Sequence, residues 1–138
     1  MKTINWKNAI IAGFLGTILF DLVGLLMTGT WWDIPSVLGA KTDLGLAYGV
    51  AGHYGNGILL AILFAGIAPS LWGPKWVRPI IFVVGEMIAL VWLFMLPLLG
   101  AGVAGLDASP MMPVITLVRH LAYALPLIYL IQYDKKLL

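Results

Sequence analysis

The chain has only two histidines, His53 and His120, and each falls inside a long apolar stretch. Three more ionisable residues share such stretches: Asp21, Glu86 and Arg119. Ionisable side chains are costly in a membrane and mark function by default. Neutral imidazole is an axial ligand of haem iron. Two imidazoles facing each other across a helical bundle would hold haem b, with Arg119 beside His120 placed to meet a propionate. The expected activity is then electron transfer near the outer face, with a membrane quinone or a redox partner subunit as the exchange partner. A divalent metal on Asp21, His53 and His120 is an alternative, although no HxxxH or ExxH spacing supplies two ligands from one helical turn. A second class of reading needs no cofactor: Asp21, His53, Glu86 and Arg119 line a path or pocket for a small ligand, an ion or protons. In a third, the same residues only hold helices together in an accessory subunit.

Residues four apart share a helix face. His53 has Gly49 on one side and Gly57 on the other, and His120 has Thr116 and Ala124. Both imidazoles therefore project from faces cleared of bulk. Such faces suit close helix packing or a flat ligand lying against the backbone. At ~1.5 Å rise per residue, His53 lies roughly 12 Å below the outer surface, and His120 and Asp21 roughly 10 Å. Glu86, about 13 residues from the outer end of its helix, lies roughly 20 Å down and falls outside that layer.

These positions require membrane-spanning elements, and the composition supplies them. The chain is 62% hydrophobic and 10% charged, against about 25% charge in a soluble domain. With no cysteine, disulfides, thiolate metal sites and thiol catalysis are excluded. The net charge of +2 is not a nucleic-acid signal, because most of the basic residues stand at predicted membrane ends. There is no P-loop, nucleophile elbow, dinucleotide fingerprint or HExxH.

A span needs about 20 residues of helix. Residues 9–28, 45–67, 77–99 and 113–131 meet that length, giving an all-α four-helix transmembrane bundle, up-and-down, in one domain covering residues 1–138. The first run is too long for a signal-peptide core and lacks a nearby cleavage site, so it reads as a span. Lys2, Lys7, Lys75, Arg78, Lys135 and Lys136 flank one side, while Lys41 with Asp33, Asp43 and Asp107 flank the other. The positive-inside rule places both termini in the cytoplasm, as in a multi-pass protein of the cell's inner (cytoplasmic) membrane. Trp31 and Trp32 read as interface anchors. Asp33 to Gly39 reads as a short surface helix with Pro35 in its first turn and Gly39 past its end. Trp92 is expected to face lipid or a partner subunit. The glycine-rich faces also suit a homo-oligomer.

Several short patterns recur in an order that resembles a small bacterial and archaeal family of four-helix membrane proteins without assigned function. They are Ala12-Gly13-Phe14-Leu15-Gly16-Thr17, Asp33-Ile34-Pro35 with Leu38-Gly39, His53 followed by Gly57, Gly73-Pro74-x-Trp76-x-Arg78, Pro97-x-x-Gly100-x-Gly102, and His120-x-x-Tyr123. The resemblance covers nearly the full length. It implies four helices with two intramembrane histidines and no particular activity. Glu86 and Arg119 stand outside it.

Overall fold

The computed structural model describes residues 4–133, and within them every regular element is helical. The lysines at positions 2, 135 and 136 that enter the charge count lie outside the described residues. Five helices carry the architecture: α1 (Trp6–Thr28), α2 (Asp33–Thr42), α3 (Gly45–Ile67), α4 (Val77–Leu98) and α5 (Met112–Leu130). All but α2 are long and apolar enough to cross a membrane. Their lipid-facing surfaces carry large side chains left bare, such as Leu26, Leu59, Leu98 and Tyr129. In a bilayer that exposure costs nothing, because lipid tails are as apolar as the side chains themselves.

Local signals set the boundaries. Asn5 caps α1, its side-chain oxygen accepting the Asn8 N–H at 3.1 Å. Gly29 ends α1 in the left-handed region, at φ 74°, where its N–H reaches the Leu25 carbonyl. Arg78 closes the other end of α3. Its guanidinium donates to the carbonyls of Gly73, Ala68 and Pro69, tying the α3–α4 connection together.

Helix neighbours follow the sequence order with one seam open: α1 packs along both α3 and α5, α4 packs along α5, α3 and α5 lie apart, and α3 makes no extended contact with α4. The small residues of α1 explain its central position. A methyl at Gly13 would come within 2.6 Å of the Ile58 Cα on α3, and one at Gly16 within 2.7 Å of the Tyr123 ring on α5. A methyl at Gly24 would come within 2.5 Å of the Arg119 guanidinium. Small faces of this kind let helix axes approach where apolar burial gives no drive. Here they pack within one chain. Ala9, Ala12, Ala61, Phe64, Val83 and Leu127 build a dry core at one end, where Phe64 and Phe82 bring α3 and α4 together at 5.5 Å between ring centres.

Two features depart from the sequence expectation. Helix α2 runs on to Thr42, so Gly39 lies inside it rather than past its end. A side chain at Gly39 would strike the Gly45 carbonyl, so its small size serves the contact between α2 and α3. Within α4, residues Met87–Met95 form a π-helix. Such long π stretches are rare, and shorter ones gather at functional sites. The run Met87-Ile88-Ala89-Leu90-Val91-Trp92-Leu93-Phe94-Met95 is wholly apolar and carries no glycine or proline that would announce it.

Candidate functional site: a cleft with two carboxylate–imidazole pairs

Because α3 and α4 part company above Phe64 and Phe82, a cleft of about 890 Å³ opens between them, with α1 and α5 as its floor. Its lips, Tyr48 on α3 and Leu90 and Phe94 on α4, are about half exposed or more, so it opens sideways as well as toward the α2 end. Along α4 the cleft is lined by Glu86, Leu90, Val91, Phe94, Met95 and Leu96, most of them in the π segment, with Leu99 just past the helix end.

The first acid–imidazole pair joins α1 to α3. His53 Nε2 lies 2.9 Å from Asp21 Oδ1. A carboxylate oxygen accepts, so the ring nitrogen is the donor. Asp21 is fully buried, and its Oδ2 has no hydrogen-bond partner. Arg119 Nη2 approaches the same Oδ1 at 3.7 Å. The Asp21–Arg119 approach is thus a secondary contact. The main partner of Arg119 is Asp33 at the start of α2, gripped by both terminal nitrogens at 2.7 and 2.8 Å. This fork geometry is the strong form of a charge-assisted bond. The guanidinium also lies 4.2 Å from the Phe20 ring centre. Burial by itself raises the Asp33 carboxyl, but the hydrogen bonds and charge of Arg119 outweigh it, and Asp33 titrates below the usual aspartate range.

The second pair joins α4 to α5. His120 Nε2 lies 3.5 Å from Glu86 Oε1, both side chains being about nine-tenths buried. Counting residues puts Glu86 well below the histidines; the structure puts it beside one. A π-helix is wider and advances less per residue than an α-helix, so nine such residues bring Glu86 up toward the level of His120. His120 Nδ1 sits 2.6 Å from the Thr116 carbonyl of its own helix. A carbonyl only accepts, so Nδ1 carries the hydrogen. Thr116 is held in turn by the Trp92 indole, which donates to its hydroxyl at 2.8 Å. Trp92 therefore faces α5, not lipid or a partner.

The Phe20 ring separates the two pairs, with its centre 5.5 Å from His53 and 5.0 Å from His120. This arrangement does not fit a haem held between the histidines. The Nε2 of His53 is engaged by Asp21, the Nε2 of His120 faces Glu86, and a phenyl ring packs against both imidazoles. The two expected cofactor glycines are also occupied. A side chain at Gly49 would strike the Pro35 carbonyl of α2, and one at Gly57 the Thr17 hydroxyl of α1. The quinone and redox-subunit partners expected with haem lose their support with it. A metal on Asp21, His53 and His120 fares no better: His120 turns to Glu86, and among the described residues no three His, Asp or Glu side chains converge.

The sequence pointed to Asp21, His53, Glu86, Arg119 and His120 but not to Asp33, Phe20, Thr116 and Trp92 as members of the site. Only Asp33 carried a signal: an acid at a helix start, at the same end of the molecule as the lone buried arginine of α5. No protein-family model matches the chain, and neither a curated protein nor a solved structure matches it.

Proposed function

We propose that this chain is a transport bundle that moves a small, largely apolar molecule through the α3–α4 cleft and couples its passage to a proton on the Glu86–His120 pair. One observation carries the reading. With Nδ1 fixed as a donor to Thr116, a neutral His120 presents its Nε2 lone pair to Glu86. The contact is attractive only when one proton lies between them, on the carboxyl or on the imidazole. The pair thus binds a single exchangeable proton at the wall of a cleft whose size suits small-molecule ligands, roughly 300–1,000 Å³.

The bridges at the ends support both termini on the cytoplasmic side. Asn8 donates to the Leu130 carbonyl, and the Tyr133 hydroxyl donates to the Lys75 carbonyl. These contacts gather the start of α1, the α3–α4 connection and the end of α5 at one pole, together with Lys7, Lys75 and Arg78. Asp33, Lys41 and Asp43 take the opposite pole. On the positive-inside rule the first pole faces the cytoplasm, the helices run up and down, and the cleft with α2 opens toward the outer leaflet.

The test is proton movement in liposomes that carry the full chain and a trapped pH dye. A carried solute added outside changes the internal pH, and Glu86→Gln abolishes that change without lowering the yield of folded protein. Solute entry with no proton movement, or proton movement untouched by Glu86→Gln and His120→Gln together, refutes the reading.

A further inference from the structure

We infer that the molecule bound at Glu86 is an organic monocation with an apolar body, and that it and the proton occupy the Glu86–His120 pair in turn. This rests on the reading of that pair as the proton-handling element. Of the acids near the cleft, Asp21 is answered by His53 and Arg119, and Asp33 by both terminal nitrogens of Arg119. Among the described residues, Glu86 alone of these lacks a permanently cationic partner. Its ion-pair contact is with His120, at a distance beyond a good hydrogen bond.

An anionic ligand would find no complementary charge at that depth. The guanidinium of Arg119 is already committed to carboxylates, and Lys41 stands exposed on α2, outside the spans. A neutral ligand would leave the proton where it is. A cation satisfies a buried carboxylate directly, and a charge taken out of water needs such a partner. The surrounding walls suit the rest of the molecule. Leu60, Leu90, Val91, Phe94 and Ile115 supply apolar surface, and Phe20 and Tyr123 line the same walls.

The ionisable groups around the pair come from three neighbouring helices. They are Arg119 and Tyr123 on α5, His53 and Tyr48 on α3, and Asp33 and Lys41 on α2, while α1 presents the uncharged Thr17, Phe20 and Thr28 to the cleft. None but His120 lies within ion-pair distance of Glu86. The exchange balances: the cation arrives at the carboxylate, one proton leaves to solvent, no covalent bond to the ligand forms or breaks, and the net charge of the site is unchanged.

Tetraphenylphosphonium and the neutral triphenylphosphine oxide make a matched pair of probes for the purified full chain in detergent. Binding is read by tryptophan fluorescence and calorimetry, and proton release by a dye in weak buffer. The phosphonium should bind saturably and release about one proton per molecule, its apparent Kd rising about tenfold for each pH unit below the proton-binding midpoint. The oxide should bind at least about tenfold more weakly and release none. Glu86→Asp should keep both properties and Glu86→Gln should lose both. If the Gln variant fails to fold, the comparison of the two probes on the native chain still decides. Equal binding of the two probes, or no binding of the phosphonium at any pH where the fold survives, overturns the inference. A neutral probe that binds and displaces the proton removes the cation class but leaves the coupling intact. A pair that neither probe nor pH can titrate removes both.

Discussion

Asp33→Asn should release the short helix α2 from the bundle. The wild-type carboxylate takes two charge-assisted hydrogen bonds from Arg119, whose side chain is 4% exposed, while that of Asp33 is 26% exposed. Breaking a fully buried ion pair costs about 3–5 kcal/mol. Solvent at the Asp33 end, and the remaining approach of Arg119 to Asp21, reduce this to about 2–3 kcal/mol. The loss is local, because the other anchors of α2 are the close contacts of Gly39 and Pro35 with α3. Amide hydrogen exchange should therefore accelerate in α2 by roughly 30-fold or more, taking about 1.4 kcal/mol per factor of ten. Exchange in the Phe64–Phe82 core should hardly change. Arg119→Lys should cost nearly as much, since an ammonium cannot grip both oxygens. A double-mutant cycle should return a coupling of about 2 kcal/mol. If α2 exchanges at the wild-type rate in Asp33→Asn, the ion pair does not hold that helix and the site has been built on the wrong contact.

Acid should have the same effect as the mutation, but late. The folded-state pKa of Asp33 lies below its ordinary value, so its stabilisation is complete above that value and fades only as pH falls through the depressed one. Exchange in α2 should stay slow through mild acid and rise below the usual aspartate range; acceleration already near neutral pH counts against the pairing. Gly49→Ala and Gly52→Ala should separate sharply although they lie three residues apart. The first drives a methyl into the Pro35 carbonyl and should cost about 1–3 kcal/mol in mixed-micelle unfolding, while the second meets nothing within 4 Å and should be neutral. Trp92→Phe removes the indole bond to Thr116 and should lower stability by about 1 kcal/mol, read in the same unfolding assay; no change would mean that α4 is not held at that point.

The span boundaries were legible because length and hydropathy alone decide them: α1 and α3 end at Thr28 and Ile67, as the apolar runs do. The polar layer was legible in part. Asp21, His53 and Arg119 do gather at similar depth, since a count of residues along an ordinary α-helix converts directly to depth. The same count failed for Glu86 in part because α4 is not an ordinary α-helix, and an all-apolar run such as Met87–Met95 fits either winding. The partner of each close-packed face was hidden for another reason. The glycines mark faces that come close to something, but not which neighbour fills them. Gly49 and Gly57 look alike in the sequence, and one meets α2 while the other meets α1.

The sideways opening between Tyr48 and Phe94 has a practical bearing on how any ligand would be measured. A greasy solute reaching that gap arrives from the acyl chains rather than from bulk water, so its working concentration is set by partitioning. Dissociation constants calculated per litre of buffer will then drift with the ratio of lipid or detergent to protein. They should agree between preparations only when expressed as a mole fraction of the hydrocarbon phase.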